Sequence, residues 1–304
     1  MSLKIKSTLK DMPIRLLVYG RGGVGKSTLA AAFPRPVFLA SEDGLENIDA
    51  VGASPATWED LLDGLDELTL SKSFDTIVID SLDWFEPLCW DAVCRRGDDK
   101  GPKKSIEDFG YGKGYVAALN EWRILVSKLS SARISGKAIV LVAHAVKKTV
   151  KNPAGEDYDS WAVKLNDKIA GLIREWVDIV AFAEAEVVVA KLVPNESSKG
   201  FATGKRILRT APSAAYESKT RFALPSKIPL EWSAFNSAVK AGSFAGLPAL
   251  RAELDTRLEK LANLDVTAGA RAFLSQRGHN VASLREALKT VERYEKGEVT
   301  NGKG

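Results

Sequence analysis

The chain has 304 residues, of which 45% are hydrophobic and 27% are charged, a balance that is typical of a folded protein and excludes wholesale disorder. Lysine and arginine number 43 against 39 acidic residues, and the formal charge of +4 is too small to indicate nucleic-acid binding by itself. The spacing of Cys89 and Cys94 fits neither a CxxC metal pair nor a disulfide framework, so we expect two reduced cysteines. No run approaches the about 18 apolar residues of a membrane span, so we expect a cytoplasmic protein without a membrane partner.

Strands and helices are predicted to alternate along the first part of the chain. Apolar runs predict five strands, and stretches 57–70, 115–133 and 163–176 have the leucine spacing or the composition of helices. Thr57 is a plausible N-cap for the first of these helices. The alternation predicts an α/β fold with a mostly parallel sheet that helices cover on both faces. The five predicted strands are 14–19, 36–40, 74–80, 138–143 and 178–183.

The pattern changes after residue 184. Strand-like pieces at 186–193, 204–210 and 219–224 are expected to extend the sheet as hairpins. Two connections, at about 95–114 and 146–162, are long and polar, and we interpret them as functional loops. The chain is divided into an N-terminal segment 1–13, a core 14–240, a small helical appendage 241–295 and a polar tail 296–304.

The appendage has three predicted helices, at 251–263, 267–276 and 281–295. Its apolar residues are spaced like the core of a helical hairpin or bundle, with a partner groove as the alternative. Basic residues such as Arg271 and Lys289 are a further alternative, as DNA contacts of the appendage. The apolar set is Leu250, Leu258, Leu261, Leu264, Phe273, Leu284 and Leu288.

A phosphate-binding loop is predicted directly after the first strand and directly before a helix. The sequence Gly20-Arg-Gly-Gly-Val-Gly-Lys26-Ser27 fits GxxxxGK[ST]. Glycines let backbone N–H groups wrap a phosphate, Lys26 supplies charge to the β- and γ-oxygens, and the Ser27 hydroxyl binds Mg²⁺. The loop therefore predicts ATP and Mg²⁺ as cofactors. The expected contacts are Gly20, Arg21, Gly22, Gly23, Val24, Gly25, Lys26, Ser27 and Thr28.

Polar residues follow three further strands at the carboxyl edge, where an α/β sheet binds its ligands. Asp80 ends an apolar strand and is expected to share the Mg²⁺ with Ser27. Glu42 and Asp43 follow the second strand, and each either orients the attacking water or caps the turn. His144 ends the fourth strand and either contacts the γ-phosphate or has a structural role.

The order of these motifs resembles the RecA/RadA/DnaB class of P-loop ATPases over roughly residues 14–232. Those proteins carry a catalytic glutamate after the second core strand, which favours Glu42. They also carry a γ-phosphate sensor, normally glutamine, where this chain has His144. Tyr216-Glu-Ser-Lys219-Thr-Arg221 is similar to their Lys-x-Arg finger, which reaches the nucleotide of a neighbouring subunit. The resemblance implies a head-to-tail homo-oligomer, a ring or a filament, with catalytic residues Glu42, Lys26, His144, Lys219 and Arg221.

Several short segments resemble the compact RecA-like proteins of phages. These are Glu-Asp-Gly after strand two, Val-Ala-His at the end of strand four, and Lys-Thr-Arg-Phe-Ala-Leu-Pro before the last strand. Members of that family are ATP-binding single-strand annealing or recombination proteins. The resemblance implies a RecA-like core with single-stranded DNA as partner, a single-stranded-DNA-binding protein as a further candidate partner, and the host cytoplasm as location.

Both long connections correspond to the DNA-binding loops of RecA. Cations interleaved with aromatic residues suit single strands, because cations follow phosphates and rings stack on bases. The same loops contain many acidic residues, so a solvated surface without a ligand is the alternative. The candidate DNA contacts are Arg95, Arg96, Lys103, Lys104, Phe109, Tyr111, Lys113, Lys147, Lys148 and Lys151.

Three classes of function remain open from the sequence. The first is a DNA-dependent ATPase that promotes single-strand annealing or homologous recombination. The second is a hexameric helicase-like motor or a helicase loader with the same core. The third is a nucleotide-switched interaction protein that does not bind DNA.

Overall fold

The computed structural model describes residues 12–41, 48–190, 199–242, 247–260, 264–277 and 281–296. These residues form two compact units. The larger comprises Met12–Arg221 and Pro225–Phe235, and the smaller comprises Phe222–Leu224 and the described residues from Asn236 onward. The domain boundaries inferred from the sequence stay a prediction.

The larger unit is built on one mixed sheet. Within the described residues its strands are β1 (Arg15–Gly20), β2 (Pro36–Ala40), β3 (Val51–Ala53), β4 (Thr76–Asp80), β5 (Ala138–Val150), β6 (Tyr158–Val163), β7 (Ile179–Ala190), β8 (Lys199–Arg209), β9 (Lys219–Thr220) and β10 (Lys227–Pro229). The order is β10-β8-β7-β1-β5-β4-β2-β3, with β6 beside β5 and β9 beside β7.

The strands that carry the predicted motifs are parallel. β1 lies between β5 and β7, and β4 lies between β5 and β2, each pair in parallel register. β8 pairs antiparallel with β7 and with β10, as expected for an extending hairpin. The carboxyl ends of β1, β2 and β4 therefore lie at one edge of the parallel strands, and His144, in the middle of β5, lies beside the end of β1.

Helices flank this sheet and form the smaller unit. The helices of the larger unit are α1 (Lys26–Ala31), α2 (Trp58–Leu70), α3 (Leu82–Arg96), α4 (Lys113–Ile134) and α5 (Asp167–Trp176). α6 (Trp232–Gly242) follows, and α7 (Leu247–Lys260), α8 (Leu264–Arg277) and α9 (Val281–Glu295) belong to the smaller unit. No helix in the described ranges is long and apolar enough to cross a membrane.

Local signals explain where several elements begin and what they bury. Thr57 caps α2: its side chain accepts the Asp60 N–H at 3.1 Å, and the Asp60 carboxylate accepts the Thr57 N–H at 3.0 Å. All four residues from Leu16 to Tyr19 of β1 are fully buried. Successive strand residues point to opposite faces, so both faces of the sheet are covered, which confirms the predicted fold class.

The two cysteines agree with their prediction. Cys89 and Cys94 both lie on α3, and both are buried and free. Burial raises the pKa of each thiol, so both stay protonated near neutral pH.

The connection 146–162, predicted to be a polar loop, is instead largely a β-hairpin. β5 continues to Val150, and the chain returns as β6, with Lys147 opposite Trp161. Side chains of the β5 extension alternate between exposed and half-buried positions. The extension therefore has a polar outer face, and this polarity is what suggested a loop. The other connection keeps its irregular part at 97–112, with a 3₁₀ turn at Ile106–Phe109.

The smaller unit has its own apolar core, to which α7, α8 and α9 all contribute. Of the apolar set predicted from the sequence, Leu258, Leu284 and Leu288 are buried there and Phe273 packs against them. The side chains of Leu250, Leu261 and Leu264 lie outside the described residues. Arg257 joins α7 to α9 through ion pairs with glutamates of α9.

Candidate nucleotide-binding site

The phosphate-binding loop requires glycine at three positions. A Cβ atom on Gly20 would lie 2.2 Å from the carbonyl oxygen of Ala183 on β7, so the approach of the two strands excludes a side chain. Gly23 and Gly25 have φ angles of 72° and 103°, in the left-handed region that glycine adopts without strain. Backbone geometry thus explains three of the four glycines in the motif.

Lys26 lies inside the curve of this loop. Its side chain is buried, and Nζ donates to the carbonyl oxygens of Gly20 at 3.2 Å and Arg21 at 3.1 Å. A buried ammonium group is stable only when hydrogen-bonded or paired with an anion. The loop therefore holds a positive charge at its centre, close to backbone N–H groups.

The loop opens onto a cavity of about 260 Å³. The cavity brings together residues of the P-loop and α1, of the strands β2, β4 and β5, of position 48, and of the hairpin strand β8. Its lining is Gly23, Gly25, Lys26, Ser27, Thr28, Ala40, Ile48, Asp80, His144 and Arg206.

The cavity residues fit Mg²⁺. The Ser27 hydroxyl and the Asp80 carboxylate face the same space, and Mg²⁺ prefers oxygen ligands of this kind, completed by phosphate and water oxygens. Asp80 ends β4 beside Ala40 of β2, and the peptide bond that follows it is cis. Ser27 and Asp80 would hold the ion that accompanies a triphosphate.

The predicted general base lies outside the described residues. Glu42 and its alternative Asp43 fall in 42–47, between two described stretches. The last described residue before them, Ser41, donates its backbone N–H to the Asp80 carbonyl oxygen at 2.9 Å. The role of Glu42 stays a prediction.

His144 is held by a carboxylate that the sequence did not indicate. Asp83, in the first turn of α3, accepts the backbone N–H of His144 at 3.0 Å, and its Oδ2 lies 3.0 Å from Nδ1 of the ring. Burial raises the pKa of Asp83, but hydrogen bonds from His144 outweigh it and lower this pKa to about 2. An ionised Asp83 therefore orients the imidazole at the cavity.

A known protein family matches most of the larger unit. The sequence profile of the AAA domain family matches residues 12–222. The chain belongs to this family. This membership supports nucleotide binding and ATP hydrolysis at the P-loop cavity.

Individual relatives are distant. The SPbeta prophage-derived uncharacterized protein YorG of Bacillus subtilis (strain 168) is 27% identical over 149 residues, which cover 46% of this chain and 44% of that protein. The chain thus matches less than half of that relative's length. The RadB recombinase structure is 12% identical with a TM-score of 0.39, covering 73% of this chain and 90% of RadB. The flagellar accessory protein FlaH from Methanocaldococcus jannaschii is 10% identical with a TM-score of 0.33, covering 72% and 84%.

The finger residues predicted for this ATPase lie at the opposite edge of the sheet from the P-loop. Arg221 donates to Asp178, just before β7, at 3.2 Å, and to the Glu175 carbonyl oxygen at 2.8 Å. Burial and the charge of Arg221 lower the pKa of Lys219. Nζ of Lys219 donates to the last carbonyls of α5, those of Arg174, Glu175 and Val177. Their action on a neighbour's nucleotide stays a prediction.

Most of the cations predicted to bind DNA are paired with carboxylates in the ATPase. The pairs are Arg95–Glu59 at 2.7 Å, Arg96–Glu121 at 2.9 Å, Lys103–Asp98 and Lys147–Asp159 at 2.6 Å, Lys148–Asp167, and Lys151–Asp157. Pairing reduces the positive potential that these side chains offer to a phosphate.

Three of the predicted DNA contacts, all in the 97–113 region, are exposed and make no ion pair in the described residues. Lys104 and Lys113 have exposed ammonium groups without an acidic partner among the described residues, and Tyr111 between them is fully exposed. Phe109 packs against the core, with the Lys103 ammonium 5.9 Å from its ring centroid. Of the predicted DNA contacts, Lys104, Tyr111 and Lys113 are thus exposed and without an ion pair in the described residues, and DNA binding by any of the set stays a prediction.

Proposed function

We propose that the chain is an ATP-binding, DNA-dependent ATPase that binds single-stranded DNA and promotes single-strand annealing or homologous recombination in a phage-type system. One observation carries the proposal: the P-loop, Asp80 and His144 line a single cavity at the carboxyl edge of a RecA-like sheet. The prophage origin in the name of YorG supports the phage setting.

Each residue at the cavity has a distinct task in ATP hydrolysis. Lys26 binds the β- and γ-phosphate oxygens, and the backbone N–H groups of the loop surround the phosphate chain. Ser27 and Asp80 would hold Mg²⁺, which would supply positive charge to neutralise the triphosphate. Glu42 accepts a proton from the attacking water. His144, oriented by Asp83, donates a hydrogen bond to the γ-phosphate oxygen on which charge develops.

Assembly supplies the remaining cations. Lys219 and Arg221 of a neighbouring copy stabilise the transition-state charge, so hydrolysis depends on a head-to-tail ring or filament. The Arg221 side chain is 48% exposed even though it contacts Asp178, which leaves it accessible to a neighbour. In this state Arg221 exchanges its contact with Asp178 for one with phosphate.

Single-stranded DNA binds at Lys104, Tyr111 and Lys113. Two ammonium groups without an acidic partner in the described residues share the segment 104–113 with an exposed ring, which suits the general mode in which cations contact phosphates and an aromatic ring stacks on a base. Such binding is tolerant of sequence and weakens as salt rises.

The test measures DNA binding and hydrolysis together. Mobility shifts with short single strands, with and without a non-hydrolysable ATP analogue, are expected to show stronger binding with the analogue, and DNA is expected to accelerate hydrolysis. The triple variant Lys104→Ala, Tyr111→Ala, Lys113→Ala should lose DNA stimulation and keep nucleotide binding. Lys147→Ala is the control, because Lys147 is already paired with Asp159.

The alternatives predict other outcomes. A protein that binds ATP but no DNA at low salt is the nucleotide-switched interaction protein. Unwinding of a forked duplex indicates the helicase-like motor. Annealing of complementary strands without unwinding agrees with the proposal.

A further inference from the structure

Arg206 is the one residue of the cavity lining that comes from the hairpin strand β8. β8 lies between β7 and β10, and the Arg206 carbonyl oxygen accepts the Leu230 N–H at 2.9 Å. The backbone at this position is therefore fixed from both sides. The hairpin presents the arginine to the cavity from a rigid support.

The guanidinium group of Arg206 lies over the phosphate-binding loop. Its NH1 atom is 3.0 Å from the point that a Cβ on Gly25 would occupy. Gly25 directly precedes Lys26, so two cations of one chain border the same cavity. Two like charges at one cavity favour an anionic ligand that contacts both.

Two cations near Arg206 are neutralised by carboxylates, whereas Arg206 is not. Arg209 lies 2.7 Å from Glu184, and Lys227 of β10 pairs with Glu186 of β7. Arg206 has no acidic partner in the part of the chain that the structure describes. Within those described residues, no carboxylate competes with a ligand for the Arg206 guanidinium group.

We infer that Arg206 binds the phosphate chain of the nucleotide held by the P-loop of its own chain, as a second cation beside Lys26. This inference rests on the proposed function, because it places ATP in the cavity. A planar guanidinium group donates two parallel hydrogen bonds to phosphate oxygens, which an ammonium group does not. The contact is made within one chain, unlike that of the predicted finger.

The test compares nucleotides with different numbers of phosphates. Calorimetric titration with a non-hydrolysable ATP analogue, ADP and AMP is carried out on the wild type, Arg206→Ala and Arg206→Lys. The alanine variant is expected to bind the ATP analogue on the order of 10- to 100-fold more weakly, with a smaller loss for AMP, and lysine should restore part of the affinity. Lys205→Ala, an exposed neighbour, should stay within about twofold.

Two controls make the result decisive. Thermal unfolding without nucleotide should be alike for Arg206→Ala and Lys205→Ala, and Arg206→Gln replaces alanine if that variant unfolds. Binding is measured at concentrations where sedimentation shows monomers, since the contact lies within one chain.

Each remaining outcome has one interpretation. If Arg206→Ala binds all three nucleotides like the wild type, or loses affinity only in assemblies, the inference is wrong and the proposed function stands. If the wild type binds none of them, both fail.

Discussion

The two edges of the central sheet use charge in opposite ways. At the carboxyl edge, Lys26 and Arg206 border an open cavity of about 260 Å³. At the amino edge, Asp178 is 4% exposed and contacts three arginines, through N–O distances of 2.6, 3.1 and 3.2 Å to Arg15, Arg133 and Arg221. One edge thus keeps cations for a ligand, and the other uses them to stabilise a buried carboxylate.

The physical difference lies in desolvation. Burial raises the pKa of Asp178, but hydrogen bonds from Arg15 and the charge of Arg133 outweigh it, so the pKa falls below its ordinary value. A buried carboxylate with several guanidinium partners has no capacity left for a ligand. At the carboxyl edge, Lys26 and Arg206 instead border the cavity in which we propose that a polyanion binds.

The largest expected effect is on hydrolysis, and it shows whether Arg221 does more than stabilise Asp178 at the amino edge. As a finger, it supports the transition state of a neighbour, so Arg221→Ala should lower the hydrolysis rate by about 10³-fold or more and leave nucleotide affinity nearly intact. Arg133→Ala is the matched control, because Arg133 contacts the same Asp178 but is only 18% exposed. Steady-state hydrolysis and equilibrium binding are measured. Equal losses of rate in both variants, or lost binding in Arg221→Ala, would make Arg221 a structural residue.

The next effect is on stability at the amino edge. Asp178→Ala leaves three guanidinium groups without their shared partner, and the free energy of unfolding should fall by about 3–5 kcal/mol. Urea denaturation measures the loss. Asp75→Ala is the control: Asp75 also pairs with an arginine, Arg35 at 2.6 Å, but on the surface, so its loss should be much smaller. Similar losses in the two variants would show that burial does not make the ion pairs of Asp178 more stabilising than the surface pair of Arg35 and Asp75.

A third prediction concerns the carboxyl edge, where Asp83 acts through His144. Asp83→Asn keeps the size of the side chain and removes the charge that orients the ring, so kcat should fall about 10-fold or more with KM nearly unchanged. Glu86→Gln, on the same helix, is the control, since Glu86 instead accepts the Asn166 N–H at 2.8 Å. In a His144→Ala background, Asp83→Asn should have little further effect on kcat. An equally large fall in kcat in that background would show that Asp83 does not act through His144.

The sequence predicts what local residue patterns determine. The glycine loop, the Thr57 cap and the apolar strands β1, β2, β4, β5 and β7 all follow from neighbouring residues. The β5–β6 hairpin was missed because its outward positions are polar, and polarity in a long connection resembles a loop. Burial alternates over 146–150, where Lys147 and Thr149 are exposed, but the residue types Val-Lys-Lys-Thr-Val do not alternate between apolar and polar, so the period-2 signal of a strand is absent from the sequence.

Site residues and ion pairs that the sequence did not predict depend on contacts between positions far apart in the chain. Asp83 reaches His144 across 61 residues, and Arg206 reaches Gly25 only because β8 folds back toward the P-loop. Neither residue lies in a motif, so no spacing indicated its place. Likewise, the sequence showed cations and acids mixed in the predicted DNA loops but not which pairs form, and pairing decides which cations stay available.

The last prediction concerns the pH dependence of the His144–Asp83 contact. The pKa of Asp83 falls from 3.8 to about 2 on folding, so the ionised carboxylate stabilises the fold by about 2 kcal/mol at neutral pH. Because the folded pKa is the lower one, this contribution is complete above pH 4 and disappears as the pH falls through 2. The difference in unfolding free energy between the wild type and Asp83→Asn, measured in urea at several pH values, should shrink over this window. A difference that stays constant from pH 7 to pH 2 would show that ionisation of Asp83 does not stabilise the carboxyl edge.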